Sequence, residues 1–446
     1  MLAKPQSIPL AFFRLRRNPQ PKQTLASWCR HQEGTGRMLE QEELVEDILL
    51  RLPPDDPASL LRAALVCKRW CRLVSAPAFR CRFLELHRAP PMLGLFVGNN
   101  FVPTSSFRTA SRFARWRNVI DVRHGRVLLR AGDSKSKAAF AVWDPITHEL
   151  KELPLLTIPM SMIHSHDRAA AVLCGCTDPG ACSHIGCQRG PFLVVVVGIG
   201  FSYVYSSEAG AWTGPAFAGG NRHDCYLSSA PSVLLSNGLY FMVYESEVNH
   251  IFRMSNAFLK YDLGNGEMCR VRLPPSFSEH GTVLMAAKDG ELGLAWVERS
   301  MLYLWSREAA GPADDGVGWT QRRTIKLKTL LPADAFSASI SVIGSLDGAG
   351  VIFLGTRVGI FTFDLSFSPV KKVPKARYYC RVIPYMSFYT PGLDVASTDE
   401  GPRAVGEKKT PKKTTSSQKP ISNKKEGGKK KKEDSEHNES SKKLKK

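Results

Sequence analysis

Nothing in this 446-residue chain stays apolar long enough to cross a bilayer as a helix. The longest apolar run, PFLVVVVGIGF from Pro191 to Phe201, is bounded by glycine and reads as a buried strand. The start lacks the sustained apolar segment of a secretory signal, because charges and prolines are scattered through it. Its opening AFFRLRRNPQPKQ has the arginine-rich, acid-poor composition of an organelle leader. Met38 stands just ahead of a helical stripe, so residues 1–37 are expected to be a dispensable extension instead. Catalytic signatures are missing too: there is no G-x-S-x-G elbow, no Walker loop and no H-E-x-x-H, and Gly198-Ile-Gly200 has no third glycine. His164 and His166 flank a turn without a carboxylate or nucleophile partner in a recognisable order. The expectation is a chain that is not an enzyme and needs no cofactor.

Acidic residues are scarce at the two ends. The formal net charge is +20, of which residues 404–446 (15 lysines, 6 acids) and residues 1–40 (7 basic, 2 acidic) supply +14. The basicity therefore belongs to extensions, and a nucleic-acid-reading fold is not implied. Eleven cysteines, an odd number in a chain with no export signal, point to reduced thiols. Cys67, Cys71 and Cys81 lie on or between helical stripes and are expected to be packing residues.

What is present begins at residues 41–87. Leu44, Ile48 and Leu52 fall at i, i+4 and i+8 with Val45 and Leu49 beside them, which predicts one wide apolar stripe on a first helix. Glu42 and Glu43, after the neutral Gln41, put acids at its start and Arg51 a base at its end, which suits the helix dipole, and Pro53-Pro54 stops it. Asp56-Pro57 reads as an N-cap with proline at the first helical position, opening a second helix with Leu60, Leu61 and Ala64. Val66, Trp70 and Leu73 make a third stripe, and Pro77 restarts the chain into a fourth helix with Phe79, Phe83 and Leu86. These faces exceed what so small a unit buries alone.

The pattern LVEDILLRLPP…LLRAALVCKRWCRLVSAPAFRCRFLEL resembles an F-box over about 45 residues. Val45 after Leu44 departs from the usual Leu-Pro opening and leaves the helical pattern intact. The resemblance implies docking onto the Skp-type adaptor of a cullin–RING ubiquitin ligase. By position it implies contacts from Leu44, Ile48, Leu52, Pro53, Leu61, Val66, Cys67 and Trp70.

Between residues 90 and 395 the helical period gives way to short runs rich in Val, Tyr, Phe and Trp, separated by turn residues. A strand ending in an aromatic plus Asp or Ser recurs, with that residue at 144, 206, 262, 306 and 364. Each is preceded by a strand such as HGRVLLR (124–130), FLVVVVGI (192–199) or GVIFLGT (350–356). Asp144-Pro145, Asn237-Gly238 and Asp289-Gly290 supply turns. Such repeats match propeller blades, each a small sheet that must stack between neighbours. The segment resembles the kelch-like propellers found behind plant F-boxes, although no unit carries a full kelch signature. Five units are visible, and strands near 93–97 and 379–388 are expected to build a sixth and close the ring. A two-sheet sandwich is the alternative.

The stretch CGCTDPGACSHIGCQRG (174–190) packs Cys174, Cys176, Cys182, His184 and Cys187 into one loop. That density permits zinc ligation, but the spacing matches no regular C-x2-C pair, so an inter-strand insertion without metal is the preferred reading. Trp116, Trp212, Trp319 and Tyr389 are expected to pack between blades rather than to line a ligand-reading face. The tail from 407 to 446 has no aromatics and should be disordered. Its Lys424, Lys425, Lys429, Lys430, Lys431 and Lys432 are candidates for nuclear import.

The fold class expected is therefore multi-domain: a disordered leader (1–39), an all-α F-box (40–88), an all-β propeller of about six blades (89–395) and a disordered basic tail (396–446). The function expected is that of a substrate-recognition subunit of a Skp–cullin–F-box ligase in the nucleus or cytoplasm. Its partners would be the adaptor, through it cullin and RING subunits, and an unidentified protein target, with no membrane. The alternative is a non-degradative nuclear scaffold whose tail contacts nucleic acid or chromatin.

Overall fold

The computed structural model describes residues 39–109, 116–131, 137–159, 168–176, 182, 184, 187–217, 225–228, 230–246, 252–274, 277, 281–287, 289–307, 318–366, 370–374, 376 and 381–389. Four helices come first: α1 (Leu39–Leu50), α2 (Pro57–Ala64), α3 (Lys68–Ser75) and α4 (Pro77–His87). Proline occupies the first turn of both α2 and α4, where its missing N–H costs nothing. The Cys67 sulfur accepts the Trp70 N–H at 3.5 Å and so caps α3.

The rest is a six-blade β-propeller of antiparallel sheets. Blade 1 runs Trp116–Arg123, Arg126–Ala131, Phe140–Trp143 and Leu150–Glu152 from axis to rim. Blade 2 is Ala169–Cys174, Phe192–Gly198, Phe201–Ser206 and Ala211–Phe217, its second strand being the long apolar run of the sequence. In blade 3, Gly238–Ser246, Phe252–Asp262 and Met268–Arg272 follow the short strands Cys225–Leu227 and Val233–Leu235. Blade 4 comprises Val283–Ala286, Leu292–Glu298, Met301–Arg307 and Trp319–Lys326; blade 5 comprises Ser341–Leu346, Val351–Thr356, Gly359–Asp364 and Val370–Lys372. Blade 6 joins the two ends of the domain: Met92–Val97 pairs with Val382–Met386 on one side and with Asn100–Pro103 on the other. Closure by strands from both ends removes the exposed edges of an open sheet. These pairings replace the sandwich alternative.

The recurring Asp or Ser has a local cause. Asp144 Oδ1 accepts the Ile146 N–H at 2.8 Å, Asp262 Oδ1 the Gly264 N–H at 2.8 Å, and Asp364 Oδ1 the Ser366 N–H at 2.8 Å. Ser206 does the same more weakly with Ala209 at 3.3 Å. Each turns the third strand into the fourth. Ser306 departs from the set, since its hydroxyl takes the Arg322 Nε–H at 2.5 Å instead. The aromatic just before each turn residue, at Trp143, Tyr205, Tyr261 and Phe363, is fully buried between blades.

Candidate functional site: helical surface, channel mouth and cysteine cluster

The four helices bury Leu49, Leu50, Leu60, Val74, Phe79, Phe83 and Leu84 in one core. The stripe expected on α1 therefore splits: Leu49, Leu50 and partly Val45 turn inward, while Leu44 and Ile48 each stand 64% exposed. On α4 the expected Leu86 points out and Leu84 takes its place inside, because Phe79, Phe83 and Leu84 share the inward face. Val66 lies outside α3 and is 65% exposed, beside Leu65 at 82%. Pro53 and Cys67 are also exposed, and Leu52, Leu61 and Trp70 are half-buried. None of the eight residues implied by the F-box resemblance is buried in the chain's own core. Cys67 is thus not the packing residue expected; of the three helical cysteines only Cys81 is buried. Leu65 was missed because it falls between two helical stripes, where periodicity says nothing.

The helical unit is fastened to the propeller. Ser106 Oγ accepts the Ala58 N–H at 3.0 Å and donates to Asp56 Oδ1 at 2.8 Å. Asp56 stands at the N-cap position, as its sequence predicts, but its carboxylate binds the Ser59 and Ser106 hydroxyls rather than a backbone N–H of the helix. Those hydroxyls, with the Arg62 guanidinium, hold its carboxyl below the ordinary value. Phe388, just past the strand that closes the ring, enters the helical core edge-on to Phe83 at 6.2 Å.

An axial channel of about 870 Å³ runs between the inner strands. Its wall includes Asp121, Arg123, His124, Ser232, Asp347 and Arg381. Asp121 is fully buried, pairs with Arg123 and accepts the Val172 N–H at 2.9 Å, so it ties blade 1 to blade 2. Burial pushes its carboxyl up, and Arg123 opposes that. Arg123 also donates to the Ser232 carbonyl, just ahead of the blade 3 strand Val233–Leu235. Arg381 donates to the Val119 carbonyl at 2.8 Å, and the Tyr385 hydroxyl to the Gly125 carbonyl at 3.3 Å. The signal for Asp121 is legible in hindsight as a lone acid inside the apolar strand WRNVIDVR.

The cysteine loop stands at the mouth of this channel. His184 lines it and stacks on His124 at 4.3 Å with an interplanar angle of 30°. Cys174, Cys182, His184 and Cys187 bring one ligand atom each to within 4.8 Å of one another. Cys174 and Cys182 sulfurs are 3.8 Å apart, and Cys187 Sγ is 4.0 Å from His184 Nδ1. Cys176 is adjacent, its sulfur 3.1 Å from that of Cys174. Hydrogen bonding from Cys187 raises the Cys174 thiol, and burial pushes Cys182 up to about 11. His124 is driven down to about 3 by burial first and then by His184, Arg123 and Arg126.

The singled-out aromatics pack. Trp116 is buried; Trp212 Nε1 donates to the Pro154 carbonyl at 2.7 Å and Trp319 Nε1 to the Arg272 carbonyl at 2.9 Å, each reaching the preceding blade. Tyr389 lies 5.7 Å from Phe107. His164, His166, residues 1–37 and the tail lysines from Lys424 to Lys432 lie outside the described residues. No helix among the described residues is long and apolar enough to cross a membrane.

Residues 42–85 match the F-box-like family model. No curated protein matches the chain. Solved structures similar in form include the WD40 domain of SCAP from fission yeast, at 10% identity and TM-score 0.29, covering 58% of this chain and 54% of that one. Puromycin hydrolase is similar at 11% identity and TM-score 0.34, covering 59% and 39%. A functionally unknown protein from Desulfotomaculum acetoxidans aligns at 10% identity and TM-score 0.30, covering 66% and 89%. The chain thus spans about half the length of the yeast domain and about two fifths of the hydrolase. Its four helices are an F-box-like domain, and the sheets that follow are a six-blade propeller.

Proposed function

We propose that this protein is the substrate receptor of a Skp–cullin–F-box ubiquitin ligase. The observation that carries the reading is the outward apolar set Leu44, Ile48, Leu65 and Val66, each more than 60% exposed on an F-box-like domain. Large aliphatic side chains left exposed on one small domain favour covering by a partner, and an F-box-like domain generally meets a Skp-type adaptor. The fastened junction at Ser106 and Phe388 would hold the propeller, of the kelch-like type, at a fixed offset from the adaptor. A target bound on the propeller then meets the recruited conjugating enzyme at raised effective concentration. Ubiquitin chemistry belongs to the other subunits, and the complex would work in the nucleus or cytoplasm.

The test is co-purification of the full chain with a Skp-type adaptor and calorimetric titration of the pair. Ile48→Glu and Val66→Glu change exposed positions, so melting should stay within about a degree of wild type while adaptor binding drops at least roughly tenfold. Adaptor binding by neither wild type nor variants, with the chain folded, overturns the reading. So does undiminished binding by both variants.

A further inference from the structure

We propose that Cys174, Cys182, His184 and Cys187 form a tetrahedral site for a zinc-like soft divalent ion that fastens the blade 2 insertion to the channel mouth. The proposal is independent of adaptor docking and rests on geometry. Four residues scattered over fourteen positions converge until their ligand atoms lie within 4.8 Å of one another. Around zinc, sulfurs at a bond length of about 2.3 Å sit about 3.8 Å apart at tetrahedral angles. Cys174 and Cys182 stand at 3.8 Å, and the mixed Cys187–His184 edge is 4.0 Å. Cys174 and Cys176, at 3.1 Å, are too close to share that tetrahedron, which leaves Cys176 outside the set.

The place in the fold supplies a second reason. Blades 1 and 3 pass from inner to second strand in two residues, His124-Gly125 and Ser236-Asn237, whereas blade 2 inserts residues 175–191 there. Apart from Ile185 the insertion offers no large aliphatic side chain, so apolar burial cannot hold it. Its base is pinned by the Gly175 N–H to the Pro191 carbonyl at 2.8 Å.

Charge supplies the third. Three thiolates and a neutral imidazole around a divalent cation carry one net negative charge. Arg126, only 3% exposed, sits at the foot of the insertion and donates to the Cys187 carbonyl at 2.8 Å and the Gly190 carbonyl at 2.5 Å. Its Nη1 has no hydrogen-bond partner among the described residues, and the guanidinium lies over the Phe192 ring at 5.3 Å. A buried guanidinium with spare capacity is costly unless an anionic centre lies nearby, and the loaded cluster would be one. Loading exchanges the three thiol protons for the metal, with no redox step.

Metal content of the full chain, purified under reducing conditions with zinc supplied, tests the site. We expect about one zinc per chain, lost in Cys182→Ser and Cys187→Ser and kept in Cys176→Ser. In case the serine variants unfold, wild-type protein stripped by chelator and refilled with cobalt gives an independent reading. One equivalent should produce thiolate-to-cobalt charge-transfer bands and tetrahedral ligand-field bands, and refilling should restore the melting temperature. Less than roughly a tenth of an equivalent of either metal after refilling overturns the proposal. Metal retained by folded Cys182→Ser overturns it as well, as does metal lost from Cys176→Ser but kept by His184→Ala.

Discussion

The hydroxyl of Ser106, in the loop that follows the strand Asn100–Pro103, caps the backbone N–H of Ala58 at 3.0 Å, so a loop of one domain caps the start of a helix of the other. The same hydroxyl donates to Asp56 at 2.8 Å. An N-cap supplied from outside the helix makes the domain junction part of the helix itself.

Ser106→Ala should therefore cost about 1 kcal/mol, the usual value of a lost cap. Amide exchange should accelerate at the start of α2 and leave the blade cores untouched. Exchange mass spectrometry over 56–65 reads this out, and unchanged protection there would show that the junction is not coupled to the helix.

The turn residues predict a split within one repeat. Asp262→Ala removes the acceptor for Gly264 and should destabilise by about 1 kcal/mol, and Asp144→Ala should do likewise. Ser306→Ala should act elsewhere, releasing Arg322, whose Nη2 also holds Glu291 at 2.7 Å. Adding Glu291→Gln to Ser306→Ala in a double-mutant cycle should show coupling, whereas Glu291→Gln with Asp262→Ala should be additive.

Trp212 and Trp319 each donate across a blade boundary, to Pro154 and Arg272. Changing either to Phe keeps most of the ring and removes the donor, leaving a carbonyl without it; about 1 kcal/mol is expected from each in urea unfolding. Because the two bonds lie in different blade pairs, the double variant should lose the sum within about 0.5 kcal/mol.

Asp121 gives a pH dependence with a definite sign. Burial raises its carboxyl above the ordinary value of 3.8 against the opposing pull of Arg123, so between 3.8 and the raised folded value the folded chain keeps a proton that the unfolded chain releases. Stability from this group is present on the acid side and falls as pH rises through the folded value. Asp121→Asn removes the titration. The melting temperature of wild type minus that of the variant should accordingly grow as pH is lowered from about 7 to about 4.5. A constant difference would mean that Asp121 is ionised throughout.

Local chemistry was readable in the chain, and long-range chemistry was not. The Asp and Ser positions at 144, 206, 262 and 364 were visible because a turn acts on residues two or three apart. Ring closure was visible because Met92–Val97 and Val382–Met386 each carry a strand pattern with no other unit to join. Which side of α1 faces in was not visible: Leu44 and Leu49 are equally apolar, and the choice follows from where Phe79, Phe83 and Phe388 lie. Ser106 gave no sign at all, since one serine in a loop carries no period. The cysteines were conspicuous, but spacing alone judged them irregular. Their convergence comes from a strand end at Cys174 meeting a short helical turn at Cys187–Arg189, a geometry that only the fold supplies.

One consequence follows from the pairing of Met92–Val97 with Val382–Met386. During synthesis the helices at 39–87 emerge first, but the ring stays ajar until residue 386 clears the ribosome. A nascent chain thus displays its exposed Leu44, Ile48, Leu65 and Val66 well before its propeller is closed, and any companion that recognises those helices meets a half-made molecule.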